Sequence, residues 1–384
     1  MDKRVVLLLS LLALMTAGGG AQVLHLTVTN EENLVRKDEM LALRWSDMQQ
    51  KLPALAPGQA VVLALPDSSE LITQTAGEEL LFMADVGPGE TRHFLIRKGD
   101  SRGPRPARRV DGRFVLPRED YAWENDRIAF RMYGSPLAGD VRNGIDVWTK
   151  RVRHLIVEKW YRESEGSPPG KDTYHVDRGE GADFFSVGKS LGAGGSAIRR
   201  EGRLYQPGIF KSWRTIENGP LRVSFELSYD SIDVNGTLYS EIRRTTLDAG
   251  QNLNRIDVTY YGPLDNEELE VACGLVKRKG VMVSRDPNGC WLSLWGETTS
   301  DTTSGCLGTG VVLPASGCKE IAEDTLHCWI LGKARTGRPL TYYAGAGWTR
   351  SGDFGSAEDW NSHLAEFAQK IRSPLRLNLE VAGN

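Results

Sequence analysis

The chain has 384 residues, a quarter of them charged, and a formal net charge of −3. That balance argues against the basic face of a nucleic-acid binder. Beyond the N-terminus no run reaches the roughly 18 apolar residues of a membrane helix, so neither nucleic acid nor membrane is an expected partner.

Residues 1–21 read as a secretory signal. Lys3 and Arg4 precede the apolar run 5–14, and Gly19, Gly20 and Ala21 offer small residues for cleavage. The mature protein is expected to begin near Gln22 and to be periplasmic or secreted. The remaining length is enough for a large core and two domains. Residues 22–100 alternate apolar and polar positions at 23–28, 60–65, 79–86 and 93–97, with Pro57-Gly58 and Pro88-Gly89 as turns. This predicts a small N-terminal β-sandwich. Residues 40–52 have a helical pattern. Residues 101–112 belong to a polar break with five bases between Lys98 and Arg109, read as a linker.

From 113 to 384 the chain is again rich in strands. Period-2 alternation marks 127–133, 222–229 and 254–261, and shorter runs follow at 274–283, 291–295, 311–313, 328–331 and 342–348. Long alternating strands without interleaved helices predict large antiparallel sheets in an all-β protein. Trp360, Leu364, Phe367 and Ile371 recur at helical spacing between Ser356, a candidate cap, and Pro374, and a last strand is predicted at 375–381. All five cysteines lie in the last third. Their odd number leaves at least one thiol free or bridged to another chain, and their spacing is not that of a zinc knuckle.

Three clusters could carry chemistry. On a strand over 127–133, Arg127, Arg131 and Tyr133 share a face suited to a carboxylate or sulfate, with Trp123 just before them. Asp146, Trp148 and Lys150 share a second strand face, where an aromatic ring beside charges fits a sugar. The third is the Gly-rich stretch 174–196, which sets His175, Asp177, Asp183 and Lys189 on a tightly shaped loop, with His175 as the best acid–base candidate. A weaker cluster joins Lys211, Trp213 and Arg214. Lys189 sits in Val-Gly-Lys-Ser, but Asp183 stands where a phosphate loop needs glycine. Esterase and zinc-protease signatures are absent from the sequence, the spacing of His175 with Asp177 or Asp183 is not diagnostic of a metal, and no cofactor is expected.

The stretches Trp123-Glu-Asn-Asp-Arg-Ile-Ala-Phe-Arg-Met-Tyr-Gly, Gly144-Ile-Asp-Val-Trp-Thr-Lys-Arg and Tyr174-His-Val-Asp-Arg-Gly-Glu-Gly-Ala-Asp resemble a bacterial domain-of-unknown-function family. That family occurs in gene clusters that degrade acidic polysaccharides such as pectin and ulvan. Residues 246–260 resemble a strand pair of the galactose-mutarotase-like supersandwich. The resemblance implies that 113–384 is a supersandwich catalytic domain and that the protein is carbohydrate-active, of the ulvan-type oligosaccharide dehydratase kind. Arg178 stands where the resemblance leads one to expect a second histidine, which counts against a two-histidine or metal mechanism.

A uronic acid has a weakly acidic proton at C5, beside its carboxylate. Eliminating water across C4–C5 needs a base, a cation on the carboxylate and an acid for the leaving oxygen. His175 is the expected base, Arg127 or Arg131 the cation, and Tyr133 or Lys189 the acid. Asp146, Trp148, Lys150, Trp123, Asp177, Asp183, Trp213 and Arg214 are expected to bind an acidic oligosaccharide. A polysaccharide lyase, a mutarotase or epimerase, and a non-catalytic sugar-binding protein are the alternatives.

Overall fold

The computed structural model describes residues 22–100, 107–167, 172–299 and 302–382; the predicted signal lies outside them. The chain is mostly β, in five sheets whose strands pair antiparallel throughout, and divides into two compact units.

The first unit is formed by the described residues up to Arg108 together with those from Ser373 onward. One sheet has the order Arg376–Val381, Val23–Thr29, Thr91–Lys98, Ala60–Ala64, Ser69–Glu70; the other has Arg36–Arg44, Glu79–Val86, Thr73–Ala76. Both sheets contribute to one core, in which Leu24, Leu26 and Val28 meet Leu41, Phe82 and Phe94. Burying a side chain such as Phe82 contributes roughly 1.5–3 kcal/mol. The pattern read as helix over 40–52 is half strand, Arg36–Arg44, and half helix, Trp45–Lys51, because Trp45 and Met48 close this core from the end of the strand. The last strand was assigned by sequence to the second domain. It instead pairs with Val23–Thr29, and Leu375 and Leu379 pack on the first core.

The second unit, Arg109–Arg372, contains three sheets. The largest has eight strands, in the order Ser212–Asn218, Arg222–Val234, Thr237–Asp248, Leu253–Tyr261, Leu340–Trp348, Cys306–Val312, Trp291–Glu297, Met282–Asp286. One of its faces meets two five-stranded sheets: Trp123 tilts against Phe225, and Tyr342 donates to the Gly194 carbonyl at 2.7 Å. The helix Ala357–Arg372 lies where the sequence predicts it. Gly308 and Gly310 leave room for it, since a Cβ at either would lie 2.6 or 2.7 Å from Trp360 or Leu364. Two predicted elements differ in extent. The run at 274–283 is two strands in different sheets, Glu268–Val276 and Met282–Asp286, and the linker's last residues, 110–112, begin the strand Val110–Val115. Cys290 and Cys318 form a disulfide; Cys273 and Cys328 are buried free thiols and Cys306 is a partly buried one.

Candidate functional site

The site is built on the five-stranded sheet ordered Gly181–Ala182, Asp146–Lys150, Ala129–Met132, Asp120–Asn125, Val110–Val115. Register decides what each face carries. Arg131 lies opposite Asp146 on one side and Ala122 on the other, and Ala129 lies opposite Trp148 and Glu124. Arg131, Asp146, Trp148 and Lys150 therefore share one face, while Trp123 and Phe130 point to the other.

Arg131 is the hub. Its Nε donates to Asp146 Oδ2 at 2.9 Å, and its Nη2 reaches Asp146 Oδ2 at 2.6 Å, Asp183 Oδ2 at 2.7 Å and the Tyr133 hydroxyl at 3.0 Å. Nη1 donates to the Tyr174 hydroxyl at 3.3 Å. The guanidinium carbon also sits 4.4 Å from the Tyr133 ring centre and 5.0 Å from that of Trp148, within cation–π range. Two buried carboxylates thus face one buried cation. Loss of water, and then the charge of Asp146, push the Asp183 carboxyl well above the usual carboxylate range. Burial likewise raises the Tyr133 phenol well above its ordinary value, although Arg131 opposes the shift, so this phenol keeps its proton at neutral pH.

The cluster reaches solvent through His175, on the short turn Thr173–His175. Its side chain is 42% exposed. Nδ1 lies 3.1 Å from the Asp183 carbonyl oxygen, which can only accept. Nδ1 therefore carries a hydrogen, and in the neutral ring Nε2 is the acceptor. The same Nδ1 is 3.6 Å from Asp183 Oδ2, and Nε2 is 3.8 Å from Asp172 Oδ2. Asp172 is ion-paired with Arg118, whose half-exposed guanidinium lies 5.8 Å from the Tyr174 ring centre. Asp120 accepts the Tyr161 hydroxyl and the Gly134 amide, each at 3.0 Å. Trp148, Trp160, Tyr161 and Tyr174 form an aromatic wall beneath.

The Gly-rich loop is shaped by its own polar groups. Asp177 Oδ1 accepts the amides of Gly179 and Gly181 at 2.9 and 3.1 Å, and the Asp183 amide donates to the Tyr174 carbonyl at 2.8 Å. Gly181 has φ +122°, and a Cβ there would lie 2.0 Å from the Thr149 carbonyl oxygen, so the loop can meet the sheet at this point only without a side chain.

The structure thus brings together His175, Arg131, Tyr133, Asp146, Trp148 and Asp183. It places the other candidates elsewhere. Arg127 precedes the strand Ala129–Met132 and pairs with Asp353 at 2.7 Å, so it does not share a face with Arg131. Arg131 itself is 3% exposed, with every nitrogen engaged inside the cluster, so its guanidinium is sealed from a substrate carboxylate. Trp123 is buried between sheets and donates to Asn254 at 2.7 Å. Lys150 is buried against Glu124 at 2.6 Å, a carboxylate that also accepts the amides of Ile156 and Val157 at the start of the helix Val157–Glu163. Asp177 is held by Arg151 and Arg350, at 3.1 and 3.5 Å. Lys189 is exposed on a turn. Trp213 and Arg214 lie on the edge strand Ser212–Asn218, where Arg214 pairs with Glu226 at 2.7 Å.

Residues 28–377 match the family described as Domain of unknown function (DUF4861). The chain belongs to this family. A relative of similar extent, the protein of Formosa agariphila named "Uncharacterized protein P7", is 30% identical over 385 residues, covering 92% of this chain and 93% of that one. Among solved structures, an alpha-mannosidase from Enterococcus faecalis matches with a TM-score of 0.54 at 10% identity, over 94% of this chain and 46% of the mannosidase. A protein in the Glycosyl Hydrolase Family 38 from the same organism matches with a TM-score of 0.51 at 11% identity, over 95% of this chain and 48% of the other. This chain therefore spans about half the length of these structures and shares a fold with that portion.

Sequence reasoning missed Arg118, Asp120, Tyr161, Asp172 and Tyr174 as site residues. Arg118 follows a turn proline and carries no periodic signal. Asp120 and Tyr161 become neighbours only through a contact 41 residues apart.

Proposed function

We propose that this is a carbohydrate-active enzyme that eliminates water across C4–C5 of a terminal uronic acid in an ulvan- or pectin-type oligosaccharide, leaving a 4,5-unsaturated sugar. The observation that carries this reading is the half-exposed His175. Its Nδ1 hydrogen is held by the Asp183 carbonyl, so in the neutral ring Nε2 is the available base, beside a cluster that also holds a protonated Tyr133.

In this reading His175 Nε2 takes the C5 proton. The C5–H electron pair forms the C4=C5 double bond as the C4–O bond breaks, and the departing hydroxyl leaves as water with the Tyr133 proton. Arg131 acts as a positioning residue: its Nη2 hydrogen bond orients the phenol and stabilises the phenolate that forms, which is reprotonated from solvent as His175 releases its proton. Arg118, partly exposed at the edge of the cluster, replaces Arg127 and Arg131 as the cation for the substrate carboxylate, where the enolate-like charge develops. The eight-stranded sheet facing two smaller ones fits the supersandwich that the sequence suggests. Export to the periplasm or beyond belongs to the same reading, supported by the signal-like N-terminus and by the disulfide, which needs an oxidising compartment.

The test is incubation with saturated ulvan- and pectin-derived oligosaccharides, read by absorbance of the unsaturated uronate and by mass. Loss of one water without chain cleavage supports the reading. Cleavage with an unsaturated end makes the protein a lyase, and unchanged mass leaves an epimerase or a binder. His175→Ala is expected to lower turnover on the order of 10²–10⁴-fold with the melting temperature unchanged. Full activity in that variant overturns the assignment.

A further inference from the structure

Beyond the Arg131 cluster, the second unit has a cleft of roughly 380 Å³ at the open end between the eight-stranded sheet and the site sheet. Its floor is aromatic. Trp213, 44% exposed, stacks on Phe114 with ring centres 5.0 Å apart and planes 16° from parallel, and Phe210 meets Phe114 edge-on. Its rim is polar: Glu119, Ser135 and Lys211. The Ser135 hydroxyl donates to Glu119 Oε2, and Oε1 of that carboxylate has no hydrogen-bond donor among the described residues. Lys211 is exposed and has no ion-pair partner among the described residues.

Trp213 also leans on the buried Tyr121, 5.9 Å between ring centres, yet nearly half of it stays in solvent, more than packing alone calls for. A flat aromatic face next to a carboxylate, a hydroxyl and an unpaired ammonium matches the two sides of a pyranose, with C–H groups for the ring and hydroxyl or acid groups for the rim. We propose that this cleft is a second glycan-binding subsite, taking a pyranose that bears an anionic substituent, with Trp213 as the stacking platform and Lys211 as the cation.

Its position links it to the Arg131 cluster. Arg118 and Asp120 serve the cluster, while Glu119 between them lines the cleft. Tyr133 and Ser135 divide in the same way, two residues and at most about 7 Å of backbone apart. The glycan held at Trp213 is therefore a remote part of the same oligosaccharide, and its binding energy serves to place the reacting end. Glycan binding here does not require that the cluster perform elimination.

The experiment is calorimetric titration of the full chain with ulvan-derived and pectin-derived oligosaccharides of rising length, and with their carboxyl-reduced counterparts. Wild-type protein should bind the longer acidic chains most tightly. Trp213→Ala should weaken that binding by roughly 2- to 12-fold with the melting temperature little changed, and Trp213→Phe should restore most of the binding. Lys211→Gln should erase the preference for acidic over carboxyl-reduced chains. Unchanged affinity in Trp213→Ala, or no binding of any of these glycans to the wild type, overturns the proposal. The two readings fail separately. Trp213-dependent binding with no unsaturated product keeps the subsite and removes the elimination, whereas product formation with an unaltered KM in Trp213→Ala does the reverse.

Discussion

Arg131 and Arg243 make an instructive pair. Both are fully buried, both sit against carboxylates and tyrosines, and both lie in the second unit. Arg243 holds Glu241 at 2.7 Å, the Asn143 carbonyl at 3.1 Å and the Ser196 hydroxyl at 2.9 Å, with the Tyr229 ring centre 5.1 Å away. Everything around it is sealed: Tyr229, Tyr260, Tyr342 and Cys273 are each at most 1% exposed. The shell of Arg131 ends instead on a half-exposed histidine and a half-exposed arginine. A buried ion pair is thus poor evidence for a site, because structural networks perturb titration as strongly as catalytic ones do. Access to solvent through a group with a free nitrogen separates the two clusters.

The largest expected effect tests the sealed cluster. Arg243→Ala leaves Glu241 buried without its cation and should cost about 3–5 kcal/mol of stability, lowering the melting temperature on the order of 10 °C. Turnover per folded molecule should not change. A folded Arg243→Ala protein without activity would break the comparison, since the sealed cluster would then be part of the chemistry.

A somewhat smaller effect tests the open cluster. Tyr133→Phe keeps the ring under Arg131 and removes only the hydroxyl, so it should lower turnover about 10²-fold with little change in melting temperature. Tyr260→Phe is the matched control. Its hydroxyl lies beside Glu241 in the sealed cluster, and its loss should leave turnover as it was. Equal effects from both substitutions would show that the difference between the clusters has no bearing on function.

The difference between these clusters was only partly legible in the sequence. Period-2 alternation places Arg131 and Tyr133, and then Asp146 and Trp148, on strand faces, and the glycines of 174–196 mark a shaped loop. What alternation cannot give is strand neighbourhood. Arg131 meets Asp146 because their strands pair in one register, and nothing local to either residue encodes that register. The same limit misplaced Lys150, whose exposed-looking polar pattern is a buried pair with Glu124, and the last strand, which crosses to the other unit to complete a sheet begun about 350 residues earlier. Arg127 misled for a different reason: the alternating pattern begins two residues before the strand does, and the turn at Asn125 takes the side chain to Asp353.

The smallest expected effect concerns how the open cluster's loop is held. Glu180, at the tip of that loop, accepts from Lys159 at 2.8 Å, His154 at 3.0 Å and Trp160 at 3.2 Å. Burial alone would raise its carboxyl, but these hydrogen bonds outweigh it and hold the group at about 2. A carboxylate lowered in the folded state stabilises the fold fully above its unfolded value, about 4.5, and that contribution fades as the pH falls from there through about 2. Because Lys159 is about half exposed, the contribution should be only about 0.2–1 kcal/mol. Between pH 5 and 3, amide protection relative to the intrinsic exchange rate should therefore fall across residues 176–183 while 241–245, beside Arg243, stays protected. Glu180→Gln should show the fast loop exchange already at neutral pH and lose its acid dependence. If the loop of the Glu180→Gln protein stays as protected as in the wild type, the loop is held by its backbone pairing to the sheet and not by these surface charges, and the open cluster is as firmly anchored as the sealed one.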